Sequence, residues 1–238
     1  MTTFVLVHGS FGGGWVWQKV TPLLRAQGHE VYTPRLTGLS DRSHLLYCGV
    51  DLTTHITDVA SLLYYEDLSD VVLVGHSYAG MVITGVAAKI PERLKLLVYL
   101  DAYVPDDGQS EFDLWPAEER AKAQADMAAG RGLRQPPPPA VLGITDPEMA
   151  DWVYERFTPH PLVTYDQPAP VGNVKSEALT RVYIRCTAGL WITRFEPFAV
   201  KARAAGWEVH ELSTGHMAML TAPRELAELL HDLVGAGT

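Results

Sequence analysis

Val71-Val72-Leu73-Val74-Gly75-His76-Ser77-Tyr78-Ala79-Gly80 decides how this 238-residue chain is read. Its first four residues are apolar without polar alternation, which suits a parallel strand covered on both faces. The chain must then turn sharply, because residues 81–89 continue with helix-compatible side chains. A serine at such a strand-to-helix turn sits in strained backbone, its hydroxyl projecting above the sheet and its neighbours forced together. Small residues are needed two before it and two or three after it. Gly75, Ala79 and Gly80 meet that demand, although the second glycine of the usual Gly-x-Ser-x-Gly pattern has slipped one place. The following helix points its positive end at any anion forming beside the serine. Ser77 is therefore the expected nucleophile, and an incidental serine in a strand-turn-helix is the bland alternative.

Outward from this turn the same grammar repeats. Short apolar runs at 4–8, 30–32, 94–100, 181–185 and 207–212 read as further strands. Between them fall helical periods: Val16, Val20, Leu23 and Leu24; Leu52, Ile56, Val59 and Leu63 behind an Asp51 cap; Phe195, Phe198, Ala199 and Ala202. A last one carries Leu226, Leu229, Leu230 and Leu233, with Thr221 as its expected cap and Pro223 in its first turn. Strands alternating with helices predict an α/β fold with a doubly wound, mostly parallel sheet of about six strands.

Regularity fails between about 104 and 177, where Pro136-Pro137-Pro138-Pro139 interrupts short amphipathic stretches at 117–128 and 147–157. Trp115, Trp152, Tyr154, Phe157 and Tyr165 supply too much apolar surface for a disordered linker. We expect a core of residues 1–103 and 179–238 and a helical cap of residues 104–178, inserted after the strand ending at Leu100. An insertion there overlies the carboxyl ends of the strands, where open α/β sheets bind ligands.

His8-Gly9-Ser10-Phe11-Gly12-Gly13-Gly14-Trp15 follows the first strand. A dinucleotide loop would need G-x-G-x-x-G, which this stretch does not satisfy, and an acidic residue closing the second strand, which is missing. In acyl transfer, one backbone N–H from such a loop joins the N–H after the nucleophile to hold a tetrahedral oxyanion. Ser10 and Tyr78 are the expected pair. The base should lie on a loop after the last strand, where Ser213-Thr214-Gly215-His216-Met217 sits. Of the other histidines, His8 and His76 belong to the two loops and can support them. His29, His44, His55, His160, His210 and His231 have no such placement, so His216 is the expected base.

Phe4-Val5-Leu6-Val7-His8-Gly9, Gly12-Gly13-Gly14-Trp15, the Ser77 turn and His216-Met217-Ala218-Met219-Leu220 together resemble the α/β-hydrolase superfamily. They are most similar to its branch of plant methylesterases (salicylate-type esterases) and hydroxynitrile lyases. The resemblance covers roughly residues 3–105 and 180–235 and leaves most of the cap unmatched. It implies the α/β-hydrolase fold and a serine hydrolase cleaving a carboxylic ester, small or with an aromatic or medium alkyl group, through an acyl-enzyme and with no cofactor. In the lyases a lysine follows the histidine, whereas Met217 stands here, so the resemblance favours the esterases. A hydroxynitrile lyase or lactonase on the same triad, and a non-catalytic ligand-binding protein, stay as alternatives. A haloalkane dehalogenase would need a carboxylate nucleophile, which Ser77 cannot replace.

One part of the branch's pattern is missing. Its acid usually follows the strand written here Arg181-Val182-Tyr183-Ile184-Arg185, yet Cys186-Thr187-Ala188-Gly189-Leu190-Trp191 holds no carboxylate. The imidazole needs a buried acceptor at Nδ1 to fix its tautomer. Asp101 ends the strand after the Ser77 helix, a place similar to that of the acid in some haloalkane dehalogenases and lipases, and is the expected third member. A turn cap before Pro105 is its bland role, and Asp106, Asp107 and Glu196 are weaker candidates.

Composition bounds the partners. The chain is 47% hydrophobic, enough for a full core, and its net charge is −9 with no basic cluster to meet nucleic acid or an anionic membrane. No apolar run reaches the roughly 18 residues of a membrane span, and no signal-like leader precedes Phe4, so a cytoplasmic protein is expected. Cys48 and Cys186 lack metal or disulfide spacing and read as packing residues. The partner is then a small-molecule ester, with Trp15, Trp115, Trp152 and Trp191 suggesting an apolar pocket. A homodimer is compatible with the sequence but not indicated by it.

Overall fold

The computed structural model describes residues 1–47, 49–170, 172 and 174–235, which leaves Cys48 outside the described residues. In chain order the strands are β1 (Thr3–Val7), β2 (Glu30–Tyr32), β3 (Val71–His76), β4 (Leu94–Leu100), β5 (Leu133–Arg134), β6 (His160–Pro161), β7 (Thr180–Cys186) and β8 (Glu208–Leu212). The α-helices are α1 (Thr21–Ala26), α2 (Leu52–Tyr65), α3 (Ala79–Lys89), α4 (Ala117–Ala128), α5 (Pro147–Tyr154), α6 (Val163–Asp166), α7 (Val174–Glu177), α8 (Ile192–Ala204), α9 (Ala218–Thr221) and α10 (Pro223–Gly235).

Six strands form one parallel sheet in the order β2-β1-β3-β4-β7-β8. Successive residues of a strand point to opposite faces, so runs that are apolar throughout need cover on both. The core divides accordingly. Val5, Val7, Leu73, Leu97 and Tyr99 join α2, α3 and α8 on one face. Phe4, Leu6, Val72, Val74, Leu96 and Val98 join α1 and α10 on the other. The sheet is thus doubly wound, as the strand-helix alternation predicts. The chain leaves β1 toward β2 on one side and returns to β3 on the other, and that reversal opens a crevice beyond the carboxyl ends of β1 and β3. The loops carrying Ser10 and Ser77 flank it.

Local chemistry explains where the elements begin. Asp51 accepts the Thr54 N–H at 2.8 Å in a capping box that starts α2. The period at Val16–Leu24 does not give one helix: it splits into a 3-10 turn at Gly14–Trp17 and α1, which carries Pro22 in its first turn. Proline has no N–H for a ladder running on from residue 18, but fits a first turn. Thr221 is not the last helix's cap. It closes the one-turn α9, its hydroxyl donating to the Met217 carbonyl at 3.1 Å, and α10 starts at Pro223.

Between β4 and β7 lie α4 to α7 and a two-stranded antiparallel pair, β5 with β6, too short for any alternation to announce it. This segment touches the loops after β1 and β8. Thr158 N–H donates to the Phe11 carbonyl at 2.9 Å, and Met217 N–H to that of Leu142 at 3.3 Å. Among the described residues no helix is long and apolar enough to cross a membrane.

Candidate active site

Ser77 has the left-handed φ of 57° that a sharp strand-to-helix turn demands, at a cost of about 1–3 kcal/mol for a non-glycine residue. The turn is fixed by its neighbours: Ser77 N–H donates to Leu100 at 3.2 Å, and its carbonyl accepts from Gly80 at 3.0 Å and Tyr103 at 3.2 Å. A Cβ on Gly75 would lie 2.7 Å from the Ala79 carbonyl oxygen, and one on Gly9 2.9 Å from Ser77 Cβ. On Gly80 it would collide with the carbonyl of Tyr103. The slipped glycine therefore serves the backbone that follows β4, which a sequence pattern cannot show. Gly80→Ala is expected to cost about 3 kcal/mol, the top of the overpacking range, or roughly 10 °C in Tm for a chain of this length. Calorimetry showing no fall in Tm would contradict this.

His216 stands on the loop after β8, and its Nδ1–H donates to Asp101 Oδ2 at 2.7 Å. Asp101, just beyond β4, has a φ of 42°. Its Oδ1 accepts the Cys186 N–H at 3.1 Å and its own N–H donates to Ile184 at 2.7 Å, so β7 holds the carboxylate in place. Phe195 stacks on the imidazole at 4.7 Å and 8°, Trp191 lies at 5.0 Å, and His76, at 4.4 Å, donates Nε2–H to the His216 carbonyl. Among the described residues no hydrogen bond joins Ser77 Oγ to His216. Burial disfavours charge on both partners of the pair. It pushes Asp101 up to about 7 against the pull of the Cys186 N–H, and lowers His216 to about 3 with the Arg194 cation adding to the effect.

The weaker acids are engaged elsewhere. Glu196 pairs with Arg185, Asp106 pairs with Lys201 at 2.7 Å, and Asp107 is exposed. The loop after β7 offers no carboxylate, and a Cβ on its Gly189, which has a φ of 89°, would lie 3.6 Å from Gly143 Cα and 3.8 Å from Gly215 Cα. Cys186 is buried among apolar residues, and its backbone adds the contact to Asp101.

Neither Ser10 N–H nor Tyr78 N–H has an acceptor among the described residues. Two buried histidines hold the segments that present them, both kept neutral by burial, which lowers each to about 4. His8 donates Nδ1–H to the Gly9 carbonyl at 2.8 Å and accepts the Leu36 N–H at Nε2. His55 accepts the Tyr78 hydroxyl at Nδ1 at 2.8 Å and donates Nε2–H to Thr37 at 2.9 Å. Sequence reasoning passed over His55 and over His160, which packs against Tyr78 at 4.7 Å. For His55 nothing in the primary structure marks the role, because its partners Thr37 and Tyr78 lie 18 and 23 positions away on other elements.

The four tryptophans part company. Trp115 and Trp191 line a cavity of about 800 Å³ together with Leu162, Arg134 and Arg194. Trp15 and Trp152 instead pair edge to face at 5.1 Å, against Phe157. The expected apolar lining is also mixed in character, since the guanidinium of Arg134 lies 4.2 Å over Trp115 and Arg194 binds Glu119 at 3.1 Å. Among the described residues no three metal-ligating side chains cluster.

Residues 4–229 match the Alpha/beta hydrolase family. The carbendazim hydrolyzing esterase of Nocardioides sp. (strain SG-4G) is 40% identical over 98% of this chain and 100% of its own length. Salicylic acid-binding protein 2 of Nicotiana tabacum is 29% identical over 97% of this chain and 96% of its own. Among solved structures, an extracellular alpha/beta-hydrolase from a Paenibacillus species superposes with a TM-score of 0.84 at 28% identity, over 98% of each chain. The doubly wound sheet, the serine at its strained turn and a family match across almost the whole sequence lead to one assignment: this chain belongs to the alpha/beta hydrolase family.

Proposed function

We propose that this protein is a carboxylic ester hydrolase acting through a serine acyl-enzyme. Ser77 attacks the ester carbonyl while His216 takes its proton at Nε2 and returns it to the leaving alcohol, and Asp101 holds the imidazole in the tautomer with Nδ1–H. The N–H groups of Ser10 and Tyr78 receive the tetrahedral oxyanion, and water, activated by His216, releases the acid. One observation carries the reading: the 2.7 Å contact between His216 and Asp101 at the same sheet edge as the left-handed serine. It also removes the motive for a non-catalytic protein, which was the missing acid after β7. The esterase named among the relatives supports the bond type. The mixed cavity, which shares Trp191 with the ring contacts of His216, suits an ester whose acyl or alcohol part is aromatic and carries a polar group.

A fluorophosphonate probe should label Ser77. A screen of p-nitrophenyl esters of graded length, methyl esters of aromatic acids and lactones then names the class. Failure to label, with no ester turned over, sinks the proposal; cyanohydrin cleavage without ester hydrolysis would replace it by a lyase.

The pH profile has a definite sign. Asp101 and His216 take up protons as a pair. In the working state the carboxylate is ionised and Nε2 is bare. An added proton removes that lone pair whether it settles on Nε2 or on Asp101, where it turns the tautomer round. The rise in kcat/KM should therefore follow one ionisation between the two values that burial sets, about 3 and about 7, and level off above it. A rate independent of pH across that window removes His216 from the mechanism.

A further inference from the structure

Ser10 brings a hydroxyl to the loop that presents its own N–H, and the loop does not use that hydroxyl to hold its shape. The turn is closed by Gly12 N–H donating to the Ser10 carbonyl at 2.8 Å, with Phe11 in the left-handed region at φ 66°. The side chain has another partner: the phenol of Tyr165 donates to Ser10 Oγ at 2.8 Å. Tyr165 comes from the segment between β4 and β7. It is fully buried, its ring stacked on His160 at 4.6 Å and 12° and set edge-on to Tyr78 at 5.5 Å. Its proton is therefore committed to Ser10.

A serine oxygen that accepts such a bond directs its own proton elsewhere, and no acceptor among the described residues receives it. A half-buried hydroxyl with its lone pair engaged and its proton free is a donor waiting for an acceptor. The bond it receives also polarises it, since hydrogen bonds in chains strengthen one another at low local dielectric. The same segment grips the loop once more, through Thr158 N–H on the Phe11 carbonyl at 2.9 Å.

We propose that the Ser10 hydroxyl is a third donor to the oxyanion, alongside the N–H groups of Ser10 and Tyr78, and that Tyr165 is the positioning residue that turns it there. The inference rests on the acyl-enzyme reading above. The hydroxyl keeps its proton throughout and forms no covalent bond. It is neutral over the working pH range, so it stabilises charge without adding a titration of its own. Residues 158–165 thereby become part of the catalytic machinery rather than only a cover.

The test compares Ser10→Ala, Ser10→Thr, Tyr165→Phe and the double variant Ser10→Ala/Tyr165→Phe on one ester, with a trifluoromethyl ketone as oxyanion-forming inhibitor and fluorophosphonate labelling of Ser77. Ser10→Ala should lose on the order of 10² in kcat and in inhibitor affinity while KM moves little, because the interaction exists only when the oxyanion does. Ser10→Thr should recover most of the loss. Tyr165→Phe, which removes one oxygen from a ring that stays packed, should lose about tenfold in kcat, and nothing further in the Ser10→Ala background.

Normal labelling of Ser77 with kcat of Ser10→Ala within about twofold of wild type overturns the inference and leaves the hydrolase reading standing. So does a Tyr165→Phe effect of equal size with and without the Ser10 hydroxyl, since the tyrosine would then act through packing alone. If Ser10→Ala does not fold, an unchanged kcat in Tyr165→Phe overturns it. Absence of labelling and of ester turnover in the wild type overturns both readings together.

Discussion

Ser77→Ala should lower kcat on the order of 10⁶-fold, the loss seen when a serine hydrolase is deprived of its nucleophile, with Tm unchanged or slightly raised. The magnitude follows from what remains. Alanine leaves the oxyanion donors and the binding surface in place, and these alone give only about 10³- to 10⁴-fold over water. The stability side follows from the turn. Its hydrogen bonds from Gly80 N–H and Tyr103 N–H go to the carbonyl of residue 77, not to its hydroxyl. The close contacts at Gly9, Gly75 and Gly80 involve backbone and Cβ, which alanine keeps. Single-turnover hydrolysis of an activated ester, read beside the thermal midpoint, decides it. Hydrolysis at the wild-type rate would remove Ser77 from the mechanism.

The turn was legible because its physics is local. Strain at one serine demands small neighbours within three positions, and that demand is written in consecutive letters, slipped glycine included. The strands were legible for a related reason: short apolar runs without alternation, spaced by helical periods, suit parallel strands covered on both faces. The place of His216, on the loop after the last strand, followed from chain order.

What could not be read depends on groups brought together across the fold. His55 supports Tyr78 through a hydroxyl 23 positions away, and Tyr165 reaches Ser10 across 155. No period or spacing encodes either pairing. The lining of the cavity depends on the same kind of pairing. Tryptophans counted along the chain suggest an apolar lining, but Arg134 and Arg194 lie against the same rings, and Trp15 and Trp152 face each other elsewhere. Between β4 and β7 the amphipathic stretches at 117–128 and 147–157 return as α4 and α5, whereas the two-residue strands β5 and β6 leave no periodic signal.

Asp101→Asn should cost on the order of 10⁴ in kcat, by analogy with the protease triad when geometry is kept but the tautomer is wrong. The reason lies in the second contact of the carboxylate. Oδ1 accepts the Cys186 N–H at 3.1 Å and Oδ2 faces His216 Nδ1 at 2.7 Å, so both oxygens meet donors. An asparagine has one oxygen for the two. If that oxygen keeps the backbone N–H, its NH₂ faces Nδ1, the imidazole must carry its proton on Nε2, and no base is left for Ser77. If the amide turns round, NH₂ meets the Cys186 N–H, and a buried donor goes unpaired at about 1–3 kcal/mol. The first arrangement avoids that penalty and is the inactive one.

Unfolding does not explain the loss, and the sign of the linkage shows why. Burial raises the Asp101 carboxyl from the ordinary carboxylate range to about 7. The stability tied to that shift is fully present below the unfolded value and is lost as pH rises through about 7, where a buried charge must be carried. A neutral amide carries none. Asp101→Asn should therefore gain Tm relative to wild type on going from acid to pH 8 while remaining crippled at every pH. Glu196→Gln and Asp106→Asn, whose partners are Arg185 and Lys201, should keep nearly full activity. Asp101 is not the acid if its asparagine variant stays within a few-fold of wild type, or if Glu196→Gln loses as much.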